Sequence, residues 1–336
     1  MISIGEITYD ESKILGEGAF GKVYDGRFRL EKAAVKKVKF NQVSLKKVLE
    51  EARILRTLCC SHPNIIRMFD VQADKNHIYI CMEYCDGGSF EDFLSAQKLT
   101  EEMAKYFIPQ ICKGLEALHL NKIVHRDLKP DNILLKFQNV TGNLEIILKI
   151  SDFGVSRFIL DGMNANTFAG TEVYMAPEVL SYVLYNEMCD MWSVGIILFK
   201  GLTGQFPFTS LTYLVNAFRQ KKELFIENKL KSYTISQALK DLIQKLLIVN
   251  PHKRLTVNEM ANHNYLEECY RSNVQTGFVM DWYSQRNSRT KLQTSQIFGM
   301  SPGLAFGLGI AALGLLGFGI YNINKPSDSR KQAEKK

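Results

Sequence analysis

Two segments decide the fold of this chain: His125-Arg126-Asp127-Leu128-Lys129-Pro130-Asp131-Asn132 and, twenty residues after Asn132, Asp152-Phe153-Gly154. Both lie in predicted loops, because residues 125–135 and 150–178 interrupt the mostly helical pattern that begins near residue 100. Asp-Phe-Gly alone is a common turn sequence, but its position downstream of the first segment favours a functional pair.

A glycine-rich segment lies near the amino terminus, between two predicted strands: Gly16-Glu17-Gly18-Ala19-Phe20-Gly21-Lys22-Val23. Glycines at this spacing let backbone amides approach phosphate oxygens closely, because no Cβ stands in the way. The same pattern occurs in dinucleotide-binding folds, where a helix follows it. Here Val23-Tyr24-Asp25-Gly26 continues as a strand, which excludes that fold.

A strand lysine follows the glycine-rich segment, in Ala34-Val35-Lys36, thirteen residues past Val23. Lys36 could neutralise phosphate charge if an acidic partner held it in place, and the predicted helix over 44–58 offers Glu51. The alternative is a solvated lysine in a lysine-rich strand. Taken alone, Lys36 favours the interpretation as a solvated strand lysine.

In this order and at these separations, the segments resemble those of the eukaryotic protein kinases, over residues 9–269. The resemblance implies an α+β, bilobal fold with a small antiparallel β-rich N-terminal lobe and a larger helical C-terminal lobe. The hydrophobic pattern agrees, since the first forty residues alternate apolar and polar positions and the later ones follow a helical period.

The resemblance assigns catalytic roles to residues of the two deciding segments. Asp127 would orient the substrate hydroxyl and accept its proton, and Lys129 would contact the transferring phosphate. Asn132 and Asp152 would hold Mg²⁺, a hard cation that prefers oxygen ligands. Leu128-Lys129-Pro130 is similar to the serine/threonine branch of the family, and Thr171 would support Asp127 and Lys129.

The resemblance also implies a nucleotide site. Lys36, paired with Glu51, would contact the α- and β-phosphates of ATP. Met82 stands at the gatekeeper position, and Glu83-Tyr84-Cys85 is similar to the hinge that pairs with adenine through backbone groups. The residues expected to bind ATP are Leu15, Gly16, Gly18, Gly21, Val23, Ala34, Lys36, Glu51, Glu83, Cys85 and Leu134.

Further positions carry structural and regulatory expectations. Glu178 and Arg254 resemble the buried ion pair of the family's helical lobe. Arg126 resembles the arginine that pairs with an activation-loop phosphate, and Thr167 is the best-placed acceptor for that phosphate. We expect phosphate on Thr167 to order the loop; the alternative is a solvated loop threonine. The early segments resemble unfolded-protein-response kinases with a nuclease domain, whereas the later ones resemble autophagy-initiating and calmodulin-dependent kinases.

Net charge and cysteine content argue against nucleic-acid binding and a cysteine-ligated zinc site. The net charge is +7, and residues 271–291 and 325–336 each carry +3, so 7 − 3 − 3 leaves +1 for the remainder. A strongly basic nucleic-acid-binding body is therefore not expected. The seven cysteines form no C-x-x-C pair and are interpreted as buried, reduced thiols.

The carboxyl-terminal part differs in kind from the rest. Residues 270–300 are polar and predict a linker, whereas 301–323 are uncharged, almost wholly apolar and long enough to span a bilayer as a helix. A short basic tail follows over 324–336. Small residues recur every four positions in this region and are a candidate homodimer face: Gly299, Gly303, Gly307 and Ala311.

These patterns together predict a tail-anchored serine/threonine kinase that uses ATP and Mg²⁺ on protein substrates. The kinase domain would face the cytosol, where ATP is found, with the mitochondrial outer membrane slightly favoured over the endoplasmic reticulum. Two alternatives stay open: a pseudokinase scaffold at a membrane, and an otherwise soluble enzyme whose tail docks on another protein. We expect no nuclease activity, because the linker and apolar segment leave no room for that domain.

Overall fold

The computed structural model describes residues 1–18, 21–39, 56, 62–152, 172–183, 185–224, 226–272 and 274–298, the last ten by backbone alone. Several expectations fall outside the described residues: Glu51, Thr167, Thr171, and the segments 301–323 and 324–336.

The N-terminal lobe is built on one antiparallel sheet with strand order β1-β2-β3-β4-β6-β5. Alternation along the strands separates two apolar faces, as expected for a sheet covered on both sides. Val35 and Tyr79 belong to a cluster on one face, whereas Ala34 and Val38 face the main core. The strands are β1 (Ile2–Ile4), β2 (Ile7–Gly18), β3 (Gly21–Phe28), β4 (Glu31–Lys39), β5 (Met68–Ala73) and β6 (His77–Glu83).

The C-terminal lobe is mostly helical. The helices described are α1 (Phe90–Ala96), α2 (Glu101–Leu120), α3 (Pro177–Leu180), α4 (Met188–Thr203), α5 (Leu211–Arg219), α6 (Ile226–Leu230), α7 (Gln237–Leu246), α8 (Val257–Ala261), α9 (Asn264–Arg271) and α10 (Gly277–Phe298). The lobe is organised around α4, in which every residue except Lys200 is buried. This helix ends at Gly204, whose φ of +78° is the left-handed conformation that favours glycine at a helix C-cap. The expected bilobal α+β fold is confirmed.

A β-hairpin joins the two deciding segments, where the sequence predicted helices and loops. Strands β8 (Ile133–Val140) and β9 (Asn143–Ile150) pair antiparallel, and the short strand β7 (Gly88–Ser89) pairs with β8. The hairpin turns through Thr141 and Gly142, both with positive φ, as a tight two-residue turn requires. Ile133, which follows Asn132, pairs with Ile150, which lies two residues before Asp152. The hairpin therefore holds Asn132 and Asp152 near each other.

Helix α10 differs from the linker expected over 270–300. Val279 and Trp282 are fully buried, and Phe278 packs against the rings of α1 and α2. The segment is polar on average, but three of its apolar residues, Phe278, Val279 and Trp282, share one helical face. Within the described part of the chain, no helix combines the length and apolarity needed to cross a bilayer.

Candidate active site

The segment 125–127 is anchored by one buried carboxylate from α4. Asp190 accepts hydrogen bonds from the backbone N–H groups of His125 and Arg126, each at 2.8 Å, and contacts His119 Nε2 at 2.9 Å. Burial opposes ionisation of Asp190, but the hydrogen bond from His119 and the nearby histidines outweigh it and hold its pKa below the ordinary value. Asp190 therefore fixes the backbone from which Asp127 projects.

His125 connects this loop to the strand that precedes Asp152. The backbone N–H of Asp127 donates to His125 Nδ1 at 3.3 Å, which assigns the ring proton to Nε2. His125 Nε2 then donates to the backbone oxygen of Ser151 at 2.8 Å. One buried imidazole thus bonds the first deciding segment to Ser151, the residue directly before the second.

Only one of the two carboxylate oxygens of Asp127 has a hydrogen-bond partner among the described residues. Asn132 Nδ2 donates to the Asp127 backbone oxygen at 2.7 Å and to Asp127 Oδ2 at 3.0 Å, and Lys129 Nζ lies 3.5 Å from the same Oδ2. Asp127 Oδ1 is buried and has no hydrogen-bond partner among the described residues. A buried acceptor without a donor is costly, so Oδ1 is where a donor that the described residues do not supply would bind.

The residues expected to hold Mg²⁺ present the oxygen atoms that this ion prefers. The Asn132 amide directs its nitrogen to Asp127, which leaves Oδ1 as an acceptor. Ser151 binds the Asn132 backbone oxygen through its N–H at 2.8 Å and its hydroxyl at 3.0 Å, which brings the adjacent Asp152 close to Asn132. An amide oxygen and a carboxylate on neighbouring rigid segments fit a hard divalent cation.

Lys36 reaches across from the N-terminal lobe to Asp152. Its Nζ lies 2.6 Å from Asp152 Oδ1, and the Lys36 side chain is nearly buried. Burial raises the pKa of Asp152, but the charge and hydrogen bond of Lys36 outweigh it, so the pKa stays below its usual value. Asp152 has a φ of +61°, in the left-handed region that non-glycine residues seldom adopt. The Glu51 partner expected for Lys36 lies outside the described residues.

The glycine-rich segment has open space beside its backbone, as expected if phosphate groups bind there. A Cβ placed on Gly16 or Gly18 would meet no described atom within 4 Å. Gly21 has a φ of +139°, and a Cβ there would collide with the backbone oxygen of Lys37. Only glycine therefore fits at Gly21.

A model of the protein kinase domain matches residues 9–266. The chain belongs to the protein kinase family. Members of this family use ATP and Mg²⁺, so the expected cofactors are confirmed at the level of the family.

Relatives in three organisms are serine/threonine-protein kinases. The kinase unc-51 of Caenorhabditis elegans is 37% identical over 77% of this chain and 31% of its own length. The kinase atg1 of Dictyostelium discoideum is 40% identical over 79% of this chain and 40% of its own length. ULK1 of Homo sapiens is 35% identical over 79% of this chain and 26% of its own length. The chain spans less than half of each relative, and the serine/threonine class of enzyme is confirmed for the kinase domain.

The segment expected to form the hinge is joined to the β8–β9 hairpin through a buried glutamate. Glu83 contacts Lys136 Nζ at 2.6 Å and Lys149 Nζ at 2.8 Å. The backbone N–H of Arg67 donates to Glu83 Oε1 at 2.8 Å, and the Glu83 N–H donates to the Arg67 backbone oxygen at 2.8 Å. Burial raises the Glu83 pKa, but these hydrogen bonds lower it further than burial raises it.

The apolar residues expected around the adenine site belong to the main core or pack against it. Ala34 and Met82 belong to the main core, and four half-buried residues pack against it: Leu15, Val23, Cys85 and Leu134. Leu15, Val23 and Ala34 come from the N-terminal sheet, whereas Leu134 comes from β8. Both lobes therefore contribute to this apolar set, and its role in binding adenine stays a prediction.

The expected structural ion pair is confirmed. Arg254 Nη1 and Nη2 lie 2.7 and 3.1 Å from the two carboxylate oxygens of Glu178, with both side chains buried. The regulatory expectation stays a prediction. Arg126 has an exposed side chain, and its guanidinium lies 5.7 Å from the Tyr185 ring centroid. Thr167 and Thr171 lie outside the described residues.

Motif reasoning missed the anchoring role of Asp190 and the Glu83 network. Asp190 had a usable signal, because a carboxylate in the apolar segment Met188–Leu198 must find hydrogen-bond donors. Lys136 and Lys149 had no such signal, because their partner lies more than fifty residues away in the sequence.

Proposed function

We propose that this chain is a membrane-anchored kinase that transfers the γ-phosphate of ATP to serine and threonine hydroxyls of proteins. The observation that carries the proposal is the buried, unpartnered Oδ1 of Asp127, held in place by Asn132 beside Lys129. An ordinary structural aspartate at this depth would have both oxygens paired.

The arrangement suits phosphoryl transfer, in which the protein mainly positions reactants and offsets negative charge. Asp127 Oδ1 accepts the hydrogen bond of the substrate hydroxyl and then its proton, while the hydroxyl oxygen attacks the γ-phosphorus and the bond to the leaving oxygen of ADP breaks. Lys129 offsets charge on the transferring group, and Lys36 offsets charge on the phosphates that remain. Asn132 and Asp152 would hold Mg²⁺, which would supply further charge compensation when bound.

The test is phosphate transfer from labelled ATP to a Ser/Thr protein substrate by the full chain, beside Asp127→Asn. General-base loss predicts a fall in kcat of about 100- to 10,000-fold with little change in ATP affinity. Asp131→Asn is the matched control, since Asp131 is exposed, carries the same charge and lies in the same loop. Folded protein that binds ATP but transfers no phosphate would favour the pseudokinase scaffold instead.

Two finer parts of the proposal have their own tests. The uncharged segment 301–323 supports a tail anchor. Membrane pelleting of the full chain that resists carbonate extraction would support the anchor, whereas release of the chain into the supernatant would contradict it.

The exposed guanidinium of Arg126 supports activation by phosphate on Thr167. Full activity in Thr167→Ala would contradict that regulation.

A further inference from the structure

The chain leaves the hinge through a turn that two other segments hold. Asp86 Oδ1 accepts a hydrogen bond from the Phe137 N–H at 2.9 Å, and the Gly87 N–H donates to the Leu135 backbone oxygen at 2.8 Å. Both bonds come from β8. Gly87 lies two residues after Cys85, at which the hinge is expected to bind adenine, so the position of the turn constrains the hinge backbone.

Helix α10 supplies the remaining bond to this turn. Trp282 is fully buried, and its Nε1–H donates to the Gly87 backbone oxygen at 3.0 Å. The Trp282 ring meets Phe93 of α1 edge to face, with centroids 5.2 Å apart. A buried indole normally places its N–H on a specific acceptor, so this bond fixes both the ring and the turn.

The next turn of α10 closes over Gly88. Arg286 Nη1 lies 3.5 Å from Asp92 Oδ2, and the same carboxylate oxygen accepts the Ser89 N–H at 2.9 Å. A Cβ on Gly88 would lie 2.6 Å from Asp92 Oδ2 and 2.8 Å from the Arg286 guanidinium carbon. Gly88 also has a φ of +79°, so neither the space nor the backbone conformation there admits a side chain.

We propose that α10 positions the ATP-binding hinge, with Trp282 and Arg286 as positioning residues that set affinity for ATP without touching it. The inference rests on the proposed function, because it takes the hinge to bind adenine. The helix lies beyond the kinase-domain match, which ends at residue 266. This positioning role would make the affinity for ATP depend on α10, the helix that directly precedes the proposed membrane anchor.

The test compares Trp282→Phe with wild type in the full chain, purified in mild detergent. Phenylalanine keeps the aromatic packing but cannot donate to Gly87, so we expect the Kd and KM for ATP to rise about three- to tenfold, with kcat within about twofold. Met280→Ala is the matched control, because Met280 lies on the same helix and is 53% exposed. Arg286→Met is a second variant, should Trp282→Phe fail to fold.

Two readouts separate this inference from the proposed function. ATP affinity is measured by binding of a fluorescent ATP analogue, and hydrogen exchange reports the amides of residues 84–89, where Trp282→Phe should exchange faster. Unchanged ATP affinity in folded Trp282→Phe and Arg286→Met proteins would overturn the inference and leave kinase activity intact. An equal rise in Met280→Ala would overturn it too. Wild type that binds ATP without transferring phosphate would contradict the proposed function alone, and the affinity comparison still decides the role of α10.

Discussion

The catalytic loop and the hinge are held by different kinds of interaction. In the catalytic loop, two consecutive backbone N–H groups, of His125 and Arg126, donate to the single carboxylate of Asp190, which is fully buried. The hinge and its exit are held from outside, by two lysines on Glu83 and by an indole on Gly87. The loop is anchored within one lobe, whereas the hinge depends on a hairpin and on a helix near the end of the described chain.

This difference predicts a separation between rate and affinity. The loop positions Asp127 through bonds that do not involve the N-terminal lobe, so we expect its geometry to be independent of that lobe. The hinge contacts are spread over several elements, and each contributes a modest amount. Changes in the loop should therefore act on kcat, whereas changes around the hinge should act on the KM for ATP.

Asp190→Asn tests the loop and should have the larger effect. The amide keeps one acceptor oxygen but directs an NH₂ group at a backbone donor, so at least one buried N–H loses its partner. We expect kcat to fall about 100-fold and the free energy of unfolding to fall by about 3 kcal/mol. The KM for ATP should stay within about twofold of wild type. Steady-state kinetics and urea unfolding measure these quantities.

Asp241→Asn provides the control for that prediction. Asp241 also binds a histidine, with Oδ2 2.8 Å from His263 Nε2, but its side chain is 40% exposed. Its replacement should change stability by less than about 1 kcal/mol and leave kcat unchanged. An Asp190→Asn protein that loses ATP affinity but keeps its kcat would break the proposed separation.

Glu83→Gln tests the hinge and should have a smaller effect. Removing the charge leaves Lys149, whose side chain is only 11% exposed, without its carboxylate partner at 2.8 Å. We expect the free energy of unfolding to fall by about 1–3 kcal/mol, the KM for ATP to rise about two- to fivefold and kcat to change less than twofold. Glu91→Gln is the control, because Glu91 pairs with Lys200 at 3.3 Å and is 31% exposed. A fall in kcat with an unchanged KM would contradict the comparison.

Sequence reasoning reached the catalytic loop because its chemistry lies in short segments. Asp127, Lys129 and Asn132 occupy six consecutive positions, and the structure brings them within hydrogen-bonding or ion-pair distance of one another. The order of strands and helices was also readable, because alternation and helical period differ over long stretches. The Glu178–Arg254 pair was found by resemblance alone, since its members are 76 residues apart.

The hinge supports escaped prediction for physical reasons. Trp282 lies in a polar stretch whose average composition is that of a linker, and its partner Gly87 is 195 residues away. The sequence did contain a local pattern that indicates a packed helix, because Phe278, Val279 and Trp282 share one helical face. The hairpin was missed because its apolar strands also fit a buried helix, although Thr141-Gly142 marked a turn.

Acid unfolding offers the smallest effect and the finest comparison of the two regions. The pKa values of Asp190 and Glu83 are both lowered in the fold, in each case because hydrogen bonds outweigh the burial that raises them. A lowered pKa means that the stabilisation is present above the unfolded pKa, about 3.9 for Asp and 4.3 for Glu, and is lost as pH falls through the folded value.

We therefore expect neither group to make the free energy of unfolding vary between about pH 6 and 8. Below about pH 4 the wild type should lose stability more steeply than either variant, by up to about 1.4 kcal/mol per pH unit for each carboxylate removed. Urea unfolding from pH 7 to pH 3 measures the slopes, and an unchanged slope in Asp190→Asn would mean that the loop is not held by an ionised carboxylate.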